Sequence, residues 1–123
     1  MCTSVDFTSC AEGISAEVIN LRSIRSLDRA TTNTTVRRTS RLVTVEESFP
    51  QHGIGAEIYV SVIKKSFEYL NAPVERIVGA HVPMPYATNL YRLAVPQVED
   101  IICALKRACY RIVPMSAVAW FKF

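Results

Sequence analysis

Three short apolar runs, rich in β-branched residues, alternate along the chain with segments of helical periodicity. The runs lie at residues 16–21, 41–45 and 74–78, and each is typical of a buried strand. Adjacent parallel strands need a crossover connection, which a helix commonly supplies, so this alternation predicts a parallel sheet. We therefore expect an α/β fold of three layers, in which a mostly parallel sheet carries helices on both faces.

The last predicted helix has the clearest pattern, with acidic residues near its start and basic residues near its end. Its apolar residues recur at steps of three and four and predict one buried stripe: Val98, Ile101, Ile102, Leu105, Ala108, Cys109 and Ile112. A second helix is predicted over about residues 55–70, and a helical turn over 89–92. After Asp28 the topology requires a helix, although the threonines at 31, 32, 34 and 35 favour strands.

Composition places the chain among single globular domains. Half of the 123 residues are apolar, one fifth are charged, and the net charge is only +3, which argues against disorder and against a nucleic-acid partner. No apolar run approaches the roughly 20 residues of a membrane span. The four cysteines, Cys2, Cys10, Cys103 and Cys109, form no CxxC pair, so we expect neither a zinc site nor a disulfide framework. This cysteine usage is typical of a protein in a reducing compartment.

The segment from Phe49 to Gly55 is the strongest candidate for function, because it follows a strand and opens a helix. Loops at this place in open α/β sheets meet ligands, and backbone amides there can receive an anion. Gly53 and Gly55 are too few for a dinucleotide or phosphate-loop motif, and a tight turn is the alternative. His52 can be read as a general base, an interface residue or a solvated side chain, and we expect His81 on a surface loop.

The remaining candidates have simpler interpretations. Cys109 belongs to the predicted core rather than to a nucleophilic site, and the basic residues Arg37, Arg38 and Arg41 form a solvated face. The glycosylation acceptor pattern that begins at Asn33 is expected by chance. The residues by themselves therefore predict a fold and no reaction.

Several long ungapped strings closely resemble the beta subunits of mitochondrial-type pyruvate dehydrogenases. They are EVINLRSIR at 17–25, LDR at 27–29, RLVTVEESFPQHG at 41–53, APVERI at 72–77 and VPMPYA at 82–87. The likeness runs over about residues 12–111 and implies the C-terminal, transketolase-like domain of that subunit. Residues 1–11 and 112–123 are interpreted as a divergent N-terminal segment and a divergent apolar tail, and the first strand and helix of the family domain as missing.

The resemblance also implies a setting for the chain. In the family, an enzyme of two alpha and two beta subunits uses thiamine diphosphate and magnesium to decarboxylate pyruvate and acetylate the lipoyl group of an acyltransferase. The residues that activate or hold the cofactor lie outside the domain represented here, so no catalytic, cofactor-binding or metal residue is carried over. We expect this chain alone to bind no cofactor and to be inactive.

What the resemblance does carry over is assembly. It implies contacts with the alpha subunit, with a second beta subunit and with the subunit-binding domain of the dihydrolipoyl acyltransferase, and no nucleic acid or membrane partner. Five residues match the strand-to-helix loop of the family and are predicted at a subunit interface: Phe49, Pro50, Gln51, His52 and Gly53. Phe49 and Pro50 are an apolar pair on a loop, which agrees with an interface.

Departures from the family leave other functions open. Ser26, Lys64, Lys65, His81 and Tyr91 stand where the family has other residue types. The alternatives are a stand-alone binding module and a non-functional partial gene product. The resemblance implies a location in the mitochondrial matrix. No transit peptide is visible in the sequence, so the chain is expected in the cytosol if it is complete.

Overall fold

The computed structural model describes residues 3–9 and 14–109 of the chain. Its elements, in order, are β1 Thr3–Ser9, β2 Ile14–Asn20, α1 Arg29–Thr39, β3 Val43–Val45, α2 Ile54–Ser66, β4 Glu75–Ile77, α3 Thr88–Ala94 and α4 Val98–Cys109, with a short 3₁₀ turn at Phe67–Tyr69 after α2. Predictions for Cys2, Cys10, Arg111, Ile112 and the tail 112–123 concern residues outside those described.

The strands form two pairs. β3 and β4 are parallel, with Val43 opposite Glu75 and Val45 opposite Ile77, and α2 connects them as the crossover. This confirms the predicted α/β fold with a parallel sheet. β2 is instead hydrogen-bonded to β1 in an antiparallel pair, so a strand lies within the segment 1–11 that the sequence presented as unpatterned.

The core lies between α1 and α2. Val36 of α1 packs with Ile58 and Val62 of α2, and all three are buried. A buried polar contact joins the same helices, since the Ser66 hydroxyl donates to Asn33 Oδ1 at 2.8 Å. The half-buried apolar residues around this cluster are Leu21, Leu27, Leu42, Ile54 and Leu70.

The threonine-rich segment forms helix α1 because its side chains take part in the helix. Asp28 caps the helix, its Oδ1 accepting from the Thr31 amide at 3.0 Å. The hydroxyls of Thr32 and Thr34 donate to the carbonyl oxygens four residues before them, at 3.1 and 2.9 Å. The hydrogen bond from Thr31 is the largest contribution that lowers the pKa of Asp28.

The apolar stripe of helix α4 was predicted to be buried, but in the structure it is only partly buried. Ala104 and Ala108 are buried, but Val98 and Ile102 are exposed and Cys109 is only half-buried. The larger side chains of the stripe line an open cleft that β2 and β3 border. Cys109 is therefore at the wall of a cleft and not in a closed core, because the side of α4 that carries the stripe faces this cleft.

Candidate functional site

The loop between β3 and α2 lies at the carboxyl ends of both parallel strands. The Glu46 amide donates to the Ile77 carbonyl oxygen at 2.9 Å, and the Gly79 amide donates to that of Ser48 at 3.0 Å. These two bonds continue the strand pairing beyond the sheet. The loop is consequently tied at its base to the segment that follows β4.

The carboxylate of Glu46 accepts hydrogen bonds from residues at both ends of the loop and from β4. Oε1 accepts a hydrogen bond from Arg76 Nη2 at 2.9 Å, while Oε2 accepts from the Ser48 hydroxyl at 2.9 Å and from the Gly55 amide at 3.2 Å. Arg76 Nη2 also donates to the Pro50 carbonyl oxygen at 3.2 Å. One ion pair thus joins β3, β4, the loop and the start of α2.

This carboxylate is held in its charged form. Its side chain is 13% exposed and that of Arg76 is 27% exposed. Burial by itself raises the pKa of Glu46, but the hydrogen bonds from Arg76, Gly55 and Ser48 outweigh burial and lower the pKa below its usual value. We conclude that Glu46 and Arg76 form a charged, hydrogen-bonded pair under the loop.

Two glycines leave room for that carboxylate. A Cβ atom on Gly53 would lie 2.6 Å from Glu46 Oε1, and one on Gly55 would lie 2.7 Å from the same atom. The glycines therefore serve close packing. Since the Gly55 amide at the start of α2 donates to the chain's own carboxylate, the geometry favours the tight-turn interpretation of these glycines over an external anion.

The five predicted interface residues have different environments. Phe49 is 49% exposed, and its ring meets that of His81 edge to face, with 5.5 Å between the centroids. Pro50 is held through its carbonyl oxygen, Gln51 and His52 are exposed, and Gly53 is the N-cap of α2. His52 adopts a left-handed backbone, with φ of 58°.

Nothing in the described ranges prepares His52 for catalysis. Within residues 3–9 and 14–109 its ring has neither a hydrogen bond nor an ion pair, and a general base needs a partner that orients it. The described residues also contain no group of three or more His, Cys, Asp or Glu that could hold a metal ion. The loop thus presents a surface supported from beneath by the Glu46–Arg76 pair.

Exposed apolar side chains continue on the segment after β4. Val82, Met84 and Tyr86 are exposed, as are Leu90 and Leu93 of α3. The Ala80 amide donates to the Ala94 carbonyl oxygen at 2.8 Å, so the two ends of the segment 80–94, which includes α3, lie together. We call this segment the excursion. Through the Phe49–His81 contact, this excursion adjoins the loop.

Two other sequence candidates have structural roles. Asn33 is buried, and its Nδ2 donates to the Arg29 carbonyl oxygen at 2.7 Å, so the side chain is not accessible for glycosylation. Arg37 donates to the Lys65 carbonyl oxygen at 3.1 Å and lies 5.3 Å from the centre of the Tyr69 ring. Arg38 pairs with Glu17 of β2. Arg37, Arg38 and Arg41 are all exposed, as predicted for a solvated face, and the side chains of Arg37 and Arg38 in addition join elements of the fold.

The Glu46–Arg76 pair was missed by sequence reasoning. Alternation along a strand limits the loop-facing carboxylate to one of Glu46 and Glu47, and the structure selects Glu46. Arg76 lies on another strand, and only the register of β3 and β4 brings it near. The strand alternation was the available signal, and the partner required the tertiary structure.

The comparisons with known proteins agree with this architecture. The family model "Transketolase, C-terminal domain" matches residues 5–101. The chain is 77% identical over 108 residues to "Pyruvate dehydrogenase E1 component subunit beta-2, mitochondrial" of Oryza sativa subsp. japonica, covering 88% of this chain and 29% of that protein. It is 76% identical over 100 residues to the subunit beta-1 of Arabidopsis thaliana, covering 81% and 28%.

A more distant relative shows the same partial coverage. Identity to the mitochondrial beta subunit of Dictyostelium discoideum is 54% over 100 residues, again 81% of this chain and 28% of that protein. The chain thus spans less than a third of the length of the curated relatives it matches. On the match over residues 5–101, the chain belongs to the transketolase C-terminal domain family.

Proposed function

We propose that the chain supplies the assembly surface of a pyruvate dehydrogenase beta subunit and contributes no catalytic residue. The observation that carries the proposal is the supported loop. Phe49 stands half exposed on a loop whose base is held by the Glu46–Arg76 pair. A rigid loop that presents an aromatic side chain loses little conformational freedom on binding, which favours an interface.

The proposed interface consists of Phe49, Pro50, Gln51, His52 and Gly53, with the apolar excursion 80–94 beside them. Exposed apolar side chains on adjoining segments favour contact with another protein over contact with water. We propose the alpha subunit and a second beta subunit as partners, together with the subunit-binding domain of the acyltransferase. The names of the relatives support a mitochondrial matrix location for this assembly.

Thiamine diphosphate and magnesium belong, in this proposal, to the intact enzyme. The described residues do not fit either group, because they provide no acidic or histidine cluster and the amide at the start of α2 is bound to Glu46. In the described part of the chain, no helix is long and apolar enough to span a bilayer. Titration calorimetry of the chain with thiamine diphosphate and Mg²⁺ is expected to show no binding.

Co-expression tests the assembly proposal. We would express the full chain with the alpha subunit and the complete beta subunit of the rice relative, and measure the mass of the purified complex by light scattering. We expect the chain to co-purify in a complex of defined mass. The variant Phe49→Asp should lose this association, because a charge at the centre of an apolar contact costs binding.

The matched control is Phe67→Asp, since Phe67 is also exposed but lies on the 3₁₀ turn after α2. It should fold and associate like the wild type. Association with partners that displaces the complete beta subunit would favour a stand-alone binding module that competes with it. Monomer or aggregate that ignores both partners would contradict the proposal, as would pyruvate decarboxylation by the purified chain alone.

A further inference from the structure

A cleft of about 1000 Å³ opens between β2 and β3, and it reaches the base of the loop at Glu46 and Gly55 but does not include Phe49–Gly53. Its walls are the two strands, part of α1 and the apolar stripe of α4. Five large apolar residues that line it are exposed: Val18, Ile24, Val45, Val98 and Ile102. Apolar side chains gathered around one concavity indicate a surface that is covered when the protein is fully folded.

The cleft also runs along an unused strand edge. β3 is hydrogen-bonded to β4 on one side, and among the described strands none pairs with its other side. Thr44 at the centre of β3 lines the cleft, and its buried hydroxyl has no hydrogen-bond partner within the described residues. An open edge beside an apolar wall fits an extended segment, which can satisfy backbone groups and cover side chains together.

We propose that residues 110–123 of this same chain occupy the cleft, with 117–123 extended beside β3. The position of helix α4 supports this occupant. Both Val98 at its start and Cys109 at its end line the cleft, so the helix ends at a residue of the cleft wall. Segment 110–123 follows directly from that residue and therefore needs no long connection to enter the cleft.

The sequence of the segment fits the turn and the surface. Pro114 cannot continue a helix in the ordinary way and permits a reversal of direction. Residues 117–123 read AVAWFKF, in which Lys122 is the one charged side chain. Extended, these residues reach roughly 23 Å, while the 12 residues of α4 span about 18 Å. The apolar stretch is long enough to cover the whole stripe.

Trp120 makes the proposal directly measurable, because it is the single tryptophan of the chain. In the full-length protein we expect its fluorescence to lie at shorter wavelength, and to be quenched less by acrylamide, than in the same protein unfolded in urea. Both effects should be independent of protein concentration. Emission and quenching equal to those of the unfolded chain would overturn the proposal.

A pair of variants locates the binding surface. Ile102→Asp places a charge in the cleft, and we expect it to move the Trp120 emission to longer wavelength and to increase quenching. The control is Val60→Asp on α2, a residue of similar exposure that does not line the cleft. It should leave the fluorescence unchanged. Far-ultraviolet circular dichroism would establish that both variants keep their helices.

The remaining outcomes identify other occupants. Protection of Trp120 that disappears on dilution, together with a doubled mass in light scattering, would assign the cleft to a second copy and refute the intramolecular contact. Protection that arises only after the partner subunits are added would likewise refute it. Equal responses of Ile102→Asp and Val60→Asp would show that the segment lies elsewhere. Each result is independent of whether the Phe49 surface binds a partner.

Discussion

The Glu46→Gln substitution is the sharpest test of the partly buried ion pair under the loop. Glutamine keeps the size of the side chain but removes the charge that faces Arg76. Glu46 accepts three hydrogen bonds, and one amide oxygen cannot replace both carboxylate oxygens. A hydrogen bond to a charged group contributes about 1.5–3 kcal/mol, and the partial exposure of Arg76 lets water recover some of it. We therefore expect a loss of about 2 kcal/mol in the free energy of unfolding.

Urea unfolding of the full chain, followed by circular dichroism, measures this loss and its pH dependence. The folded pKa of Glu46 is lowered from its usual 4.5, so its stabilisation is complete above that pH. As the pH falls through the lowered folded value, the carboxylate is protonated and the stabilisation is lost. The difference between wild type and Glu46→Gln should consequently be constant near neutrality and shrink in acid.

The neighbouring substitution Glu47→Gln is the control, because Glu47 is exposed and has the same chemistry. We expect it to change the free energy of unfolding by less than about 0.5 kcal/mol. Equal effects of the two substitutions at neutral pH would refute the reasoning. So would a Glu46→Gln deficit that persists unchanged in acid, since the charge would then not be its cause.

Three further substitutions test the core and the base of the loop by urea unfolding. Val62→Ala should lower the free energy of unfolding by about 2 kcal/mol, because Val62 is fully buried against α1 and the truncation leaves a cavity. A change near zero would contradict that packing. Ser66→Ala should lower the free energy of unfolding by roughly 1–3 kcal/mol by leaving the buried Asn33 oxygen without its donor, and an unchanged free energy would contradict that contact. Gly79→Ala should destabilise by more than about 1 kcal/mol, as its Cβ would lie 2.5 Å from the Glu47 carbonyl oxygen; unchanged stability would show that the backbone yields there.

The sequence predicted the order of elements from β2 onward but not the strand β1 that pairs with β2. The apolar runs at 41–45 and 74–78 contain the parallel strands β3 and β4, and the run at 16–21 overlaps β2. The threonines after Asp28 argued against a helix by their intrinsic preference. In the structure Asp28 caps α1 and Val36 is buried, and these tertiary and capping terms outweigh the preference.

The environment of the loop was less accessible to sequence reasoning. The pattern of glycines suggested an anion at the start of α2, but it did not reveal that Glu46 supplies the anion. Arg76 could not be assigned either, because its distance from Glu46 depends on the register of two short strands. The alternation of side chains along the strand allowed at most one of Glu46 and Glu47 to face the loop without selecting either, and both members of the pair required the three-dimensional structure.

The fit of Glu46 between two glycines has an evolutionary consequence. The nearest atoms to a Cβ on Gly53 all belong to the Glu46 carboxylate, whereas a Cβ on Gly55 would also lie 3.0 Å from Thr44 Oγ1. A drift of position 46 to a small residue would remove the steric constraint at Gly53. The three positions should therefore show sign epistasis: Gly53→Ala, harmful beside Glu46, becomes tolerable once the glutamate has gone. In descendants that had lost the ion pair, larger side chains at positions 53 and 55 would prevent a return to glutamate at position 46.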